Sequence, residues 1–159
     1  MKFTIRIATK KDMPEVLNLI KELALFEKEP DAVEVTIQDL QNDGFGASSS
    51  FTCFVGEVND KIEGIALVYE RYSTWKGKVL HLEDLIVNEN MRSSGLGTAL
   101  LDEVIKFGYN LKMKRISWEV LDWNKPAIEF YEKKGAKVLK DWDVVHLDEQ
   151  GIKNYILKL

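Results

Sequence analysis

Three runs rich in β-branched and aromatic residues follow one another in the middle of the chain: "SFTCFVGEV" (50–58), "KIEGIALVYERYS" (61–73) and "GKVLHLEDLIV" (77–87). Only "NDK" and "TWKG" part them, and connections that short join antiparallel neighbours, since a parallel pair needs a crossover of a dozen or more residues. The spacing therefore predicts a meander of antiparallel strands at the centre of a sheet.

The flanks alternate between the two periodicities. In "KFTIRIA" (2–8), Phe3, Ile5 and Ile7 alternate with Lys2, Thr4 and Arg6, which reads as a strand. "TKKDMPEVLNLIKELALFEK" (9–28) then changes to helical spacing through Val16, Leu17, Ile20, Leu23 and Leu25, with Thr9 or Asp12 as cap and Pro14 in the first turn. A second short helix is expected over "TIQDLQND" (36–43), closed by Gly44 and Gly46, with "ASSS" as a surface loop. Further on, Leu96, Leu100, Val104, Phe107 and Leu111 recur at helical spacing, "RISWEVL" (115–121) reads as a strand, and "NKPAIEFYEKKG" (124–135) reads as a capped helix ending at Gly135. "AKVLK" (136–140), "WDVVHLD" (142–148) and "NYILKL" (154–159) are expected to be short terminal strands. The order is β-α-α-β-β-β-α-β-α-β-β. That is an α/β (α+β) fold whose mixed central sheet of about seven strands is flanked by about four helices. No repeat or linker interrupts it, so one domain over residues 1–159 is expected.

Composition narrows the classes of function. The 159 residues carry a net charge of −4, the opposite of the basic footprint of a nucleic-acid binder, so no nucleic-acid partner is expected. No stretch approaches the roughly 20 apolar residues that span a bilayer, and the amino terminus lacks a secretory apolar run, so no membrane partner and a cytoplasmic location are expected. Cys53 is the single cysteine and reads as a buried strand thiol. His81 and His146 have no ligand-spaced neighbours; both read as strand residues, and no metal is expected.

The stretch "NMRSSGLGTALL" (90–101) places Arg92, Ser93, Ser94, Gly95, Gly97 and Thr98 between the strand "LEDLIV" (82–87) and the helix that opens near Leu96. The first N–H groups of a helix have no internal partner and carry the positive end of its dipole, so such a turn suits a diphosphate, with glycines allowing close approach and the arginine and hydroxyls adding donors. Taken alone, the same residues serve equally well as a plain strand-to-helix bend. Two familiar phosphate loops are excluded: there is no GxxxxGK[ST], and Gly95-Leu96-Gly97 is not followed by the third glycine of the dinucleotide pattern.

Arg92-Ser93-Ser94-Gly95-Leu96-Gly97 resembles the [QR]xxGx[GA] loop of the GNAT superfamily of N-acetyltransferases, and "DWNKPAIEFYEKKGA" (122–136) is similar to the second half of that family's cofactor site. "IKELALFEK" (20–28), "DGFG" (43–46), "YSTWKGKVLHLEDLIV" (72–87) and "VLDWN" (120–124) are similar, in the same order, to stretches of the diamine (spermidine/spermine) and thialysine acetyltransferases. The resemblance implies a GNAT-type fold and acetyl-CoA as co-substrate. Arg92 to Thr98 would then hold its pyrophosphate, Leu85, Ile86 and Val87 would pair with its pantetheine arm as a pseudo-strand, and Asn124, Pro126 and Ala127 would lie near the cofactor. It also implies a homodimer.

Acyl transfer to an alkylamine needs the neutral nitrogen, yet such an amine has a pKa of about 10.4. A carboxylate both attracts the ammonium form and takes its proton. Strand alternation sets Glu83 with Leu85 and Val87 on one face and Asp84 with Ile86 on the other, so the two acids cannot share a pocket without a bulge. By resemblance Glu83 matches the family's amine-binding acid and proton acceptor; without it, Glu83 reads equally as an acid on an exposed strand face. Tyr131, ordinarily a core or rim residue on its helix, matches the general acid that protonates the departing thiolate. Phe26 and Glu27 match an aromatic–acid pair that lines the amine pocket, with phenylalanine where many relatives have tyrosine. Trp118, Glu119 and Asp122 offer further contacts to a short amino acid or diamine. The segment after Gly135 is shorter than the acidic insert of animal polyamine enzymes.

The reading is therefore an acetyl-CoA-dependent N-acetyltransferase acting directly on the primary amine of a small, thialysine-like or diamine substrate. The rivals are acetylation of protein lysines or aminoglycosides, and a non-catalytic acetyl-CoA sensor.

Overall fold

The computed structural model describes residues 2–159. The chain divides into two compact units, the first reaching Glu119 and the second running from Val120 to Leu159.

The first unit is built on one mixed sheet of five strands in the order β1 (Thr4–Ile7), β2 (Thr52–Val58), β3 (Lys61–Ser73), β4 (Gly77–Val87), β5 (Ile116–Ser117). The first four are antiparallel neighbours, as the short turns require, and β5 joins β4 in parallel. Helices α1 (Met13–Phe26) and α2 (Ile37–Phe45) close one face: Met13, Val16, Leu17, Leu19 and Leu40 form one buried cluster with Val55, Ile65, Leu67 and Ile86 of the strands. Helix α3 (Leu96–Asn110) closes the other, where Phe107 meets Phe54 edge-on with ring centres 5.4 Å apart and Leu96 and Leu100 crowd Gly56 and Gly64. Each fully buried Leu, Ile or Val side chain stabilises such a core by about 1.5–3 kcal/mol relative to exposure.

The start of α1 follows a capping box, but not on α1 itself. Thr9 and Asp12 bracket a 3-10 turn over Lys10–Asp12, and Pro14 follows in the first turn of α1. Asp12 is tied to Arg6 at 2.7 Å, and Arg6 also holds Glu57 of β2 at 2.6 Å. The Arg6 guanidinium lowers the Asp12 carboxyl to about 2.

The second unit contains α4 (Lys125–Lys133) and α5 (Glu149–Ile156). Here the sequence expectation is corrected. The sheet has five strands rather than about seven, and there are five helices rather than about four. "AKVLK" and "WDVVHLD" form no strand, which takes His146 out of a strand; Leu139, Val144, Val145 and Leu147 remain exposed. An alternating pattern sorts side chains between two faces, but a strand also needs a partner ladder. "NYILKL" forms no strand, its first half lying in α5, because the Asp148 side chain accepts the Gly151 N–H at 2.7 Å and Ile152, Tyr155 and Ile156 recur at helical spacing. The strand expected over 115–121 is reduced to Ile116–Ser117. Among the described residues no helix is long and apolar enough to cross a membrane.

Candidate active site

β4 delivers the chain into the glycine-serine loop, and that loop is anchored. The Asn88 side chain accepts the Asn90 N–H at 3.1 Å, a 3-10 turn spans Glu89–Met91, and Glu22 of α1 accepts the Glu89 N–H at 3.0 Å. Ser93 (φ 61°) and Gly95 (φ 91°) then turn the backbone through the left-handed region into α3. Gly95 has no side chain with which to cap α3, and the first turn of that helix contains no acidic residue, so the positive end of its dipole is left for a ligand. Arg92 and Ser93 are exposed beside it, Thr98 is half-buried, and the Ser94 hydroxyl accepts the Leu96 N–H at 3.4 Å. The Leu96 side chain is fully buried, leaving only its backbone to the site.

Gly97 separates the two uses of this turn. A Cβ there would meet only Val87 Cγ2 at 3.5 Å, an ordinary contact, so packing does not require glycine at 97. Close approach of a ligand backbone or phosphate does. N–H donors, an arginine and hydroxyls around a helix start with no acid in its first turn fit a diphosphate.

Five residues before Asn88, where the loop begins, the β3–β4 ladder slips. Val68 pairs with Leu82 and Leu67 with Asp84, so Glu83 is an extra residue on β4, a β-bulge. The bulge was the condition the sequence set for both acids to serve one site. Glu83 is 52% exposed, while Asp84 is half-buried. Burial, then the charges of Glu83 and Glu27, push the Asp84 carboxyl up to about 6. Burial alone raises Glu27, at the end of α1. Asp84 therefore feels both other acids, and the negative charge gathered around it attracts a cation.

The outer edge of β4 beside them is open. Its parallel ladder with β5 holds Leu80↔Ile116 and His81↔Ser117, and among the described residues no strand pairs with that edge from Leu82 to Val87. Leu85 and Val87 lie opposite Ala66 and Gly64, and the Asn88 N–H bonds Glu63 on the β3 side, so by alternation Ile86 turns its backbone groups to β3 while Leu85 and Val87 turn theirs to the open edge. Phe26, the last residue of α1, lies under Arg92, whose guanidinium carbon is 5.0 Å from the ring centre. Trp118 is half-buried and Glu119 exposed at the end of the first unit.

In the second unit, Asn124 caps α4 by accepting the Ala127 N–H at 3.3 Å, and Pro126 lies in the first turn. Tyr131 is 9% exposed on α4, with its ring 5.3 Å from that of Phe130, and Asp122 is exposed.

Three residues were not singled out from sequence: Asp84 as a working acid, Tyr69 and His81. The Tyr69 phenol is raised by burial first, then by the charge of Glu83 and a hydrogen bond to it, with Glu119 adding to the rise. His81 Nε2 lies 3.5 Å from Glu83 Oε2. The signal for His81 was present, since a residue two positions before Glu83 shares its strand face. Cys53 is a buried β2 thiol, pushed up to about 12 by burial and then by Asp84 and Asp12. Among the described residues no group of three or more His, Cys, Asp or Glu is placed to hold a metal ion.

The chain that carries these features is similar to known proteins. The model of the acetyltransferase (GNAT) family fits residues 13–136. The chain belongs to that family. It is accordingly an acyltransferase. Over 152 residues it is 38% identical to the human spermidine/spermine N(1)-acetyltransferase-like protein 1, covering 91% of this chain and 22% of that longer protein. Over 150 residues it is 34% identical to the thialysine N-epsilon-acetyltransferase of Bos taurus, covering 89% and 88% of the two chains. An integron cassette protein from the mobile metagenome of V. cholerae has the same fold, with a TM-score of 0.80 at 20% identity over 98% of each chain.

Proposed function

We propose that this acetyltransferase moves an acetyl group from acetyl-CoA directly to the primary amine of a small substrate, a thialysine-like amino acid or a diamine. The observation that carries the reading is the bulge at Glu83, which sets Glu83 beside Asp84, whose carboxyl also feels the charge of Glu27. Three acids suit a substrate that arrives as a cation and must lose a proton before it attacks. The names of the human and bovine relatives point to the same kind of amine, and not to protein lysine, an aminoglycoside or a sensor.

Within this reading Arg92, the hydroxyls of Ser93, Ser94 and Thr98, and the first N–H groups of α3 hold the diphosphate of acetyl-CoA. The backbone groups of Leu85 and Val87 orient its extended arm, with Ile86 between them anchoring the strand to β3. The thioester supplies an activated acyl carbon and a thiolate leaving group. Asp84 and Glu27 draw in the ammonium form of the substrate, with Phe26, Trp118, Glu119 and Asp122 as further contacts. Glu83 accepts the proton, a step that general-base catalysis accelerates by about 10²–10⁴-fold. Tyr131 returns a proton to the departing sulfur; its burial on α4 and the match to the family's acid support that role. Asn124, Pro126 and Ala127 form the start of α4 near the cofactor. No acyl-enzyme is required, consistent with the unreactive Cys53. The family match crosses Glu119 and Val120, which supports one acetyltransferase domain over residues 1–159. Homodimerisation follows from the resemblance.

Thiol release from acetyl-CoA, measured with thialysine, lysine, ornithine, putrescine, spermidine and a histone peptide, tests the proposal. Release with one or more of the small amines is expected. Release with the peptide alone, or cofactor binding without release on any amine, would overturn it.

A further inference from the structure

His81 is the one buried polar or charged side chain among the core residues described, at 6% exposure. A buried imidazole needs partners for both ring nitrogens. Nδ1 lies 3.1 Å from Arg71 Nη1 and 3.5 Å from Ser117 Oγ; Nε2 lies 3.5 Å from Glu83 Oε2. A guanidinium has donors only and keeps its protons in proteins, so a hydrogen bond from Arg71 requires the lone pair of the ring at Nδ1. The neutral ring must then carry its hydrogen on Nε2, the nitrogen that faces Glu83. A second proton would have to enter at Nδ1, against the guanidinium.

Every charged or titratable group recorded around the ring fits this arrangement. From β3 come Arg71 and Tyr69, whose ring centre is 5.1 Å from that of His81; from β4 comes Glu83; from β5 comes Ser117 and, two residues beyond that strand, Glu119. Burial first, and Arg71 second, hold the imidazole below its ordinary range, against the opposite pull of Glu83 and Glu119. The half-exposed carboxylate on the bulge thus lies 3.5 Å from a buried ring whose second protonation burial and Arg71 disfavour.

We infer that His81, fixed by Arg71 as the Nε2–H tautomer, is a positioning residue that aims Glu83 for proton acceptance. The inference rests on the reading of Glu83 as the acceptor of the amine proton. His81 itself touches no substrate. Its buried ring sets Nε2 3.5 Å from Glu83 Oε2 and limits the rotamers of that side chain.

The ligand-free protein, labelled with ¹⁵N, tests the tautomer by long-range ¹H–¹⁵N NMR near neutral pH, the His81 signals being assigned by their loss in His81→Gln. A protonated Nε2 with a bare Nδ1 is expected; a protonated Nδ1, alone or together with Nε2, overturns the inference. The kcat/KM for the amine tests the consequence. His81→Gln keeps an N–H near the Nε2 position and is expected to retain turnover within about 3-fold, whereas His81→Leu is expected to lose about 10-fold with acetyl-CoA affinity unchanged. Equal losses in both variants would mean a merely structural histidine and sink the positioning role. If His81→Leu does not fold, the tautomer and the Gln variant still decide. Full turnover in Glu83→Gln would remove the proposed base while leaving the NMR result standing, so the two failures are distinguishable.

Discussion

The guanidinium carbon of Arg92 lies 5.0 Å from the centre of the Phe26 ring, so the last residue of α1 supports the first cation of the loop that opens α3. The two are 66 positions apart in the chain, and the contact joins the expected amine pocket to the expected diphosphate site. A cation over an aromatic face is worth about 0.5–1 kcal/mol at a partly exposed position. Phe26→Leu should therefore weaken acetyl-CoA binding by about 2–5-fold, while Phe26→Tyr, which keeps the ring, should not. Calorimetric titration of both variants checks this; equal affinities for Leu and Tyr would mean the ring does not hold Arg92 in place.

Asp84 ties stability to pH. Its carboxyl sits at about 6 in the fold against an ordinary 3.8, so the folded state prefers the protonated form. That preference is complete below about pH 4 and is lost as pH rises through 6, and above it the ionised group costs up to about 3 kcal/mol. Asp84→Asn should accordingly gain stability over the parent progressively from pH 4 to 6 and hold a constant gain above. The same variant should raise KM for a cationic amine, by about 10-fold for the loss of one nearby charge. Urea unfolding at pH 4.5 and 8 reads the first effect and steady-state kinetics the second; a gain that shrinks with pH would contradict the burial of this acid.

The two glycines of the turn should respond oppositely to the same change. Gly95 holds a φ of 91°, where an alanine costs about 1–2 kcal/mol, so Gly95→Ala should destabilise the fold. Gly97 is helical with room for a methyl, and Gly97→Ala should be neutral or stabilising by up to about 1 kcal/mol. Yet Gly97→Ala should bind acetyl-CoA at least 10-fold more weakly, since the added methyl occupies the approach to the helix start. Thermal melts paired with cofactor titration separate the two; undiminished binding in Gly97→Ala would return this turn to a plain bend.

Tyr131→Phe should keep acetyl-CoA affinity and lose about 10²-fold or more in kcat, the usual share of a proton donor. Comparing kcat with cofactor affinity measured separately checks it. Parental turnover would remove Tyr131 from the chemistry.

Local rules carried the sequence far in some places and not in others. The meander over residues 50–87 was legible because two tight connections leave antiparallel pairing as the only outcome, and α3 was legible because its helical spacing begins at a glycine turn. The bulge was not, since an extra residue on β4 exists only in relation to Val68 and Leu67 across the ladder. Period-two counting separated Glu83 from Asp84 and thereby hid the acid with the larger shift. His81 was readable as a neighbour of Glu83, but its tautomer depends on Arg71, ten residues back across a hairpin. The C-terminal strands failed for a related reason: alternation in "WDVVHLD" says which side chains would share a face, and nothing in it supplies a neighbouring strand.

The ladder between β4 and β5 stops at His81↔Ser117, and the backbone beyond it is the stretch the proposed co-substrate arm needs. Amide and carbonyl groups left unzipped for a small guest are equally attractive to any passing extended peptide. On the proposed reading, the thioester donor that feeds the reaction would also cover this seam, and a preparation starved of it should associate with itself more readily.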